Sequence, residues 1–461
     1  MSLVELVGGD LEVPLADGST ARYVNLDYAA STPPTTTVLR ALESFLPYYS
    51  SVHRGAGFKS LVSTEVYESA RAVVRRFFHA PDEHTVVFTR NTTDSLNLLA
   101  AALPPGSSVV TFASEHHANL LPWRRPGLTV EVLPIPSEAD AAVASARGAL
   151  EGGRVDVLAV TGASNVSGEL WPVAELSQVA HERGTAIVVD AAQLAPHVPI
   201  DMEALGLDYL AASGHKMYAP FGCGVLIGRH QWLDTGAPFL RGGGAVRFVT
   251  TDDVLWADLP DREEAGSPNV VGAFTLAAAL AQLSECGMDR VRDHDAELGA
   301  YARRRLADVD GVTTYKLWPD DAPRTGIALF AVEGYHHSLV AAALSAEYGI
   351  GVRHGCFCAH PLVARLLGLT DQEIGAVTAS MRDGGHQPIA GAVRASIGAG
   401  SSGDDVDRLV EALGELVAHG PRAEYAYDGA TAEYVLVGDR RPRPDVGLPL
   451  AVVETARGES S

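Results

Sequence analysis

Lys216 closes the run Ala212-Ser213-Gly214-His215-Lys216, which follows directly on an apolar stretch at 208–212. An ammonium at the end of a buried strand is costly. Burial there lowers the lysine pKa and favours a neutral amine able to form a Schiff base. Ser213 and His215 beside it are suited to donate to a phosphate, although a lysine in an ordinary surface loop is the plainer reading. Asp190 ends a second apolar run and heads Asp190-Ala191-Ala192-Gln193. A carboxylate in that place can pair with a protonated ring nitrogen, or simply cap the next helix. Thr89-Arg90-Asn91-Thr92-Thr93-Asp94 reads as a strand running into a helix. Backbone N–H groups and the hydroxyls of Thr92 and Thr93 would form an anion cradle there, unless they serve only as a cap. In Glu115-His116-His117-Ala118-Asn119 an imidazole could lie over an aromatic cofactor or be structural, and in Ser164-Asn165 an amide could hold a phenolic oxygen.

The elements that must position these groups are visible as short β-rich runs at 85–89, 108–112, 129–133, 155–161, 186–189, 208–212 and 224–227. Several are continuously apolar, as strands covered on both faces are. Helical patterns at 94–102 and 173–183 lie between them. Alternation of strand and helix predicts an α/β domain with a mostly parallel sheet, whose chemistry gathers at the carboxyl ends of the strands. In chain order the candidates read phosphate cradle, stacking imidazole, amide, acid and lysine. That is the order used by enzymes of fold type I that carry pyridoxal 5'-phosphate, where an acid opposite the pyridine nitrogen sharpens the ring as an electron sink.

A helical stretch at 270–308 leads into a smaller α+β unit with strands expected at 312–316, 327–332 and 351–353. Its closing helix shows Val406, Leu409, Val410, Leu413, Leu416 and Val417 at helical spacing. The expected division is an N-terminal segment at 1–30, a large cofactor-binding domain at 31–285, a small C-terminal domain at 286–420 and an extension at 421–461. The extension is read as one strand at 433–437 and a loose end.

Composition bounds the partners. Hydrophobic residues make up 47% and charged residues 20% of 461, enough to bury a sizeable core. The 35 Lys+Arg against 57 Asp+Glu give a formal charge of −22, a field that repels nucleic acid and anionic lipid. Four cysteines are too few for a disulfide scaffold. The first thirty residues lack the pattern of a signal peptide, and the apolar run at 270–283 is shorter than the roughly 20 residues a spanning helix needs. A cytoplasmic enzyme without a metal centre, a nucleic-acid partner or a membrane partner is the expectation.

Taken together, the motifs resemble the class V aminotransferase superfamily, and within it the group II cysteine desulfurases and selenocysteine lyases. The matching pieces span roughly 24–420. Besides those quoted, they include Asn25-Leu26-Asp27-Tyr28-Ala29-Ala30-Ser31, Val52-His53-Arg54-Gly55, Ala265-Gly266-Ser267-Pro268-Asn269, Arg353-x-Gly355-x-x-Cys358-Ala359-x-Pro361 and Val393-Arg394-Ala395-Ser396. The resemblance implies a large domain with a seven-stranded, mostly parallel sheet and a smaller α+β domain. It implies that Lys216 holds pyridoxal phosphate, that Asp190 pairs with the pyridine nitrogen, that Gln193 meets the phenolic oxygen and that His116 stacks on the ring. Thr92, Thr93, Ser213 and His215 would bind the phosphate. Ser267 would reach the phosphate of a neighbouring subunit, because the family's sites lie at a homodimer interface. Arg394 would hold the substrate carboxylate, with Asn165, Arg353 and His53 nearby.

Cys358 decides the branch. In the group II desulfurases a cysteine after Arg-x-Gly takes sulfur from L-cysteine as a persulfide, releasing alanine and passing the sulfur to an acceptor protein. The chain departs from that pattern in having Cys356 and Phe357 where two histidines are common, in a longer stretch at 370–389 that could cover or open the site, and in its extension. Cys356 could compete with Cys358, form a disulfide with a persulfide, or simply pack. Two other readings stand beside this one. A lyase, aminotransferase or epimerase on the same scaffold would need Lys216 and Asp190 but no thiol. A metal-binding or scaffold protein would use Cys356, Cys358 and His360, which on a strand would share one face but lack the second ligand pair that a structural zinc site wants.

Overall fold

The seven β-rich runs form one sheet in a computed structural model that describes residues 2–53, 55–382 and 390–446. In chain order the strands are β1 (His84–Thr89), β2 (Ser108–Phe112), β3 (Thr129–Leu133), β4 (Val157–Thr161), β5 (Ala186–Asp190), β6 (Tyr209–Ser213) and β7 (Gly224–Arg229). Across the sheet they run β1-β7-β6-β5-β4-β2-β3. The pairs from β6 to β3 are all parallel, and β7 is antiparallel to both of its neighbours. Six strands therefore point one way, and their carboxyl ends share one edge. β4 and β6 are buried at every residue, which is why their sequences show no polar alternation.

The apolar run at 270–283 lies in helix Val270–Cys286, which packs against Phe58–Phe77 and turns through 80° into Met288–Ala307. Among the described residues no single helix is long and apolar enough to cross a membrane.

The smaller unit has an antiparallel sheet of β8 (Val312–Tyr315), β9 (Ile327–Val332), β10 (Arg353–Gly355) and β11 (Ala392–Ser396), in the order β8-β9-β11-β10. Two features differ from expectation. The run at 351–353 is divided: Ile350–Gly351 pairs in parallel with Val24–Asn25, and β10 starts only at Arg353. The central strand β11 carries a fully buried arginine, so it does not read as a strand from polarity. The N-terminal segment is knitted to this unit. Val24 and Leu26 share a core with Val393, Ile397 and the closing helix Gly403–His419, and Ser396 N donates to Leu26 O at 2.7 Å. That helix buries Val406, Leu409, Val410, Leu413 and Leu416 and begins with a Ser402–Asp405 capping box.

Within the stretch 370–389, Asp371–Arg382 is an exposed helix, and 383–389 lies outside the described residues. In the extension the expected strand is present as Glu433–Leu436, with an unexpected antiparallel partner in Tyr425–Asp428. Glu347 anchors this hairpin by accepting from Arg422 N, Ala423 N and the Tyr425 hydroxyl. Residues 447–461 fall outside the described residues.

Candidate active site

The carboxyl edge of the large sheet and the small sheet enclose a cavity of about 250 Å3. Its lining includes Thr92, Thr93, His116, Asn165, Asp190, Gln193, Ser213, His215, Lys216, Arg353, Cys358 and Arg394. Twelve of the fourteen residues singled out in the sequence thus meet in one place. The other two do not line it. His53 lies on an exposed turn with φ 66° and its Nε2 is 3.0 Å from Glu68 Oε1. Ser267 is exposed, just before helix Val270–Cys286. Arg54 of the same motif as His53 lies outside the described residues.

Strand register brings the acid and the lysine together. Asp190 pairs with Ala211, so β5 and β6 end side by side, and the short turn Gly214–Lys216 follows at once. Gly214 is required in this turn: a Cβ on it would stand 2.8 Å from Cys223 O and 3.2 Å from Ala219 O. Thr32 N and Thr32 Oγ1 both donate to His215 O and hold the turn from the N-terminal side. Asp190 is buried, accepts from Ala192 N at 2.9 Å, and has its carboxyl pKa raised by burial. Burial pushes the Lys216 pKa down to about 8; the nearby Asp190 opposes that shift. The amine is thus far closer to its neutral form at physiological pH than an exposed lysine would be.

The opposite wall is the start of helix Thr92–Ala102. Asn91 caps it, accepting from Asp94 N, and its first residues, Thr92 and Thr93, line the cavity. Thr92 N and Thr92 Oγ1 both lie 2.7 Å from Ser213 Oγ, which ties this helix to the end of β6. Gly224 permits the approach. A Cβ there would be 2.6 Å from Asn91 Cα and 2.9 Å from Ala212 O.

His116 Nδ1 accepts from Ala118 N at 3.0 Å, which leaves the proton of a neutral ring on Nε2. Burial first, then Lys216, drives its pKa down to about 3, so the ring is neutral. The preceding residue, Glu115, is buried, accepts from Asn119 Nδ2 and Thr161 N, and has its carboxyl pKa pushed up to about 8 by burial.

Cys358 stands on a tightly fixed turn. Phe357 and Cys358 both have positive φ, 51° and 54°, a conformation that costs any residue with a Cβ. All three carbonyls of the Cys356-Phe357-Cys358 tripeptide are bonded: Cys356 O by Ala359 N, Phe357 O by Asn165 Nδ2, and Cys358 O by His117 N, each at 2.8 Å. The Phe357 ring lies 5.0 Å from the Arg394 guanidinium. Arg394 itself donates to Asn165 O at 2.7 Å and to Asp27 Oδ1 at 3.2 Å, and burial draws its pKa down to about 10. Asp27 Oδ2 is also 3.8 Å from Arg353 Nη1. The tripeptide leaves the strand at Gly355, and His360 opens a helix, so Cys356, Cys358 and His360 do not share the strand face that a metal reading assumes. Among the described residues no group of three potential ligands is arranged to hold a metal ion.

Sequence reasoning gave no role to Asp27, Phe357 or Glu115. Asp27 was present only within a motif, and its link to Arg394 is a contact across 367 positions.

The donor set fits pyridoxal phosphate. A helix start with Thr92, Ser213 and His215 suits a phosphate. A buried carboxylate faces a buried amine. Beside them, Arg394 Nε is a buried donor with no hydrogen-bond partner among the described residues, which suits a substrate carboxylate. Such an atom costs about 1–3 kcal/mol unless a ligand satisfies it.

Comparison with known proteins gives the same picture. The model of the family described as aminotransferase class-V matches residues 24–409. A probable cysteine desulfurase of Halalkalibacterium halodurans is 37% identical over 74% of this chain and 85% of its own length. A cysteine desulfurase of Dickeya dadantii is 36% identical over 84% of this chain and 90% of its own. The apo structure of a cysteine desulfurase from Thermococcus onnurineus superposes with a TM-score of 0.76 at 32% identity, covering 91% of this chain and 100% of that one.

Proposed function

The chain belongs to the aminotransferase class-V family, and from that premise we propose that it is a pyridoxal-phosphate-dependent cysteine desulfurase, which moves sulfur from L-cysteine to Cys358 and releases alanine. The observation that carries this reading is the position of Cys358. It sits on a turn bonded at every carbonyl and lines the same cavity as Lys216, Asp190 and Arg394.

Pyridoxal phosphate, when bound, supplies an aldehyde that captures an amine and a ring that draws electrons from the substrate Cα. Lys216 would hold it, and the Thr92 and Thr93 end of the helix, with Ser213 and His215, would take its phosphate. Asp190 would keep a proton on the ring nitrogen, and neutral His116 would cover the ring without adding charge. Gln193 gives one Nε2 hydrogen to Ala29 O at 2.7 Å, and its second Nε2 hydrogen would be the one to meet the phenolic oxygen.

Arg394 then offers its guanidinium to the substrate carboxylate, where two parallel donors match two oxygens. Asn165, Arg353 and His53 belong to the same substrate-binding reading. Lys216 Nζ removes the Cα proton. The Cys358 thiolate attacks the substrate Sγ, the substrate C–S bond breaks, and the sulfur remains on Cys358 as a persulfide. The carbon skeleton, reprotonated, leaves as alanine.

The same reading makes the protein a homodimer, with Ser267 reaching the neighbouring subunit's phosphate. Exposed apolar residues on either side of His53 support an interface there: Phe58 is 71% exposed, Leu61 57% and Tyr49 49%. A persulfide also calls for a sulfur acceptor, a protein or small thiol. Four free cysteines fit the reducing cytoplasm.

The test is to supply pyridoxal phosphate and L-cysteine with a thiol reductant, and to measure alanine and sulfide. Both should form in equal amounts. Cys358→Ser should keep the visible absorbance of the bound cofactor and lose sulfide release. Undiminished desulfuration by that variant would remove Cys358 as the nucleophile and favour a lyase-type reaction on the same scaffold.

A further inference from the structure

Cys356 lies two residues before Cys358, at the other end of the same turn. Ala359 N donates to Cys356 O at 2.8 Å, and the two residues between have positive φ. This is the pattern of a type I′ turn, built without the glycine or asparagine such turns favour. Two consecutive Cα–Cα steps of about 3.8 Å keep the first and third Cα atoms within about 7.6 Å, and a backbone curled this tightly brings them closer, toward the span a disulfide bridges.

The two thiols are placed differently. Cys358 is exposed and lines the cavity. Cys356 is half-buried, is not among the lining residues, and has its Sγ 3.4 Å from Ala390 O. Burial, with the Cys358 thiol as a second cause, raises the Cys356 pKa. Cys356 is thus screened from the substrate, yet it is a near neighbour of whatever Cys358 carries.

We propose that Cys356 is the resolving thiol for the Cys358 persulfide, a role that rests on the desulfurase reading above. Swinging away from Ala390 O, Cys356 Sγ attacks Cys358 Sγ. A Cys356–Cys358 bond forms, the bond from Cys358 to the outer sulfur breaks, and the outer sulfur departs with the electron pair as hydrosulfide. The Cys356 proton goes to solvent or to the hydrosulfide. The outer sulfur is reduced by two electrons and the two cysteine sulfurs are oxidised by two. Hydrosulfide is the better leaving group of the two on offer, which favours attack at Cys358 Sγ over attack at the outer sulfur. A small-molecule or protein thiol then reduces the disulfide, which its short loop makes easy to open. In the absence of such a thiol each chain releases one sulfide and stops.

The test uses the full chain with its cofactor, one equivalent of L-cysteine and no added thiol. Alanine and sulfide are measured, and the acid-quenched, alkylated protein is weighed and mapped. The wild-type chain should form one equivalent each of alanine and sulfide and lose two hydrogens, with Cys356 and Cys358 linked. Cys356→Ser and Cys356→Ala should still form alanine but keep one extra sulfur atom on Cys358 and release no sulfide. Sulfide release by the wild-type chain should quicken as pH rises, because Cys356 must lose its proton. Persistence of the extra sulfur on wild-type Cys358, or full sulfide release by both variants, overturns the inference while leaving the desulfurase reading intact. Absence of alanine from every chain overturns that reading, and the inference with it.

Discussion

The Asn165 side-chain amide donates to the Phe357 carbonyl across 2.8 Å, joining the loop after β4 to the turn that presents Cys358. Asn165 O in turn accepts from Arg394. One residue therefore fixes both the thiol and the arginine proposed to hold substrate. Asn165→Ala leaves the Phe357 carbonyl without its donor and the two positive-φ residues less restrained. Sulfide release should fall by about 10- to 100-fold, the range for loss of a positioning contact, with kcat more affected than KM. Equal kcat in the variant and the parent would show that the turn holds without Asn165.

Arg394 is buried, stacked on Phe357 and bonded to Asp27. Arg394→Lys keeps the charge but loses the planar fork. KM for L-cysteine should rise by about 10- to 100-fold, measured by steady-state alanine formation. Asp27→Asn, which removes the carboxylate that orients Arg394, should move KM in the same direction by a smaller factor. An unchanged KM in Arg394→Lys would remove Arg394 from the carboxylate site.

Gly224 lets the start of the Thr92–Ala102 helix approach β6. In Gly224→Ala the added methyl would meet Asn91 backbone atoms at 2.6 Å and 2.8 Å, so the cradle must shift. Overpacking of this kind costs about 1–3 kcal/mol. Cofactor affinity should drop by about 10-fold or more, read by titrating the apo chain with pyridoxal phosphate. Unaltered affinity would place the phosphate elsewhere.

The large sheet was legible because most of its strands are short apolar runs, and because the chemistry-bearing residues follow those runs directly. Asp190 ends β5 and Lys216 lies in the turn directly after the neighbouring β6, so local pattern was enough to suggest them together. Arg394 was harder to place on an element. A buried arginine in the middle of β11 is held by Asn165 O and Asp27, residues more than two hundred positions away. The turn at Cys358 was hidden for a related reason: it takes a conformation that Phe and Cys avoid, and long-range hydrogen bonds hold it there. The split at Ile350–Gly351 and Arg353 depends on a pairing with Val24–Asn25 that no local pattern reports. The Tyr425–Asp428 strand has a partly polar sequence and is defined mainly by its hairpin partner and by Glu347.

Lys216 has a folded-state pKa drawn below its ordinary value, to about 8. Only the neutral amine reacts with an aldehyde. The rate of cofactor uptake by the apo chain should therefore rise with pH through about 8 and level off above it. An exposed lysine would give a midpoint two or more units higher. Stopped-flow absorbance across pH 6.5–10 separates the two.

The account rests on the bond between pyridoxal phosphate and Lys216. The chain has only three lysines, Lys59, Lys216 and Lys316. Borohydride reduction of the cofactor-loaded protein, followed by peptide mapping, should place a single pyridoxyl group on Lys216. A group on Lys59 or Lys316, or none on any lysine, would contradict it.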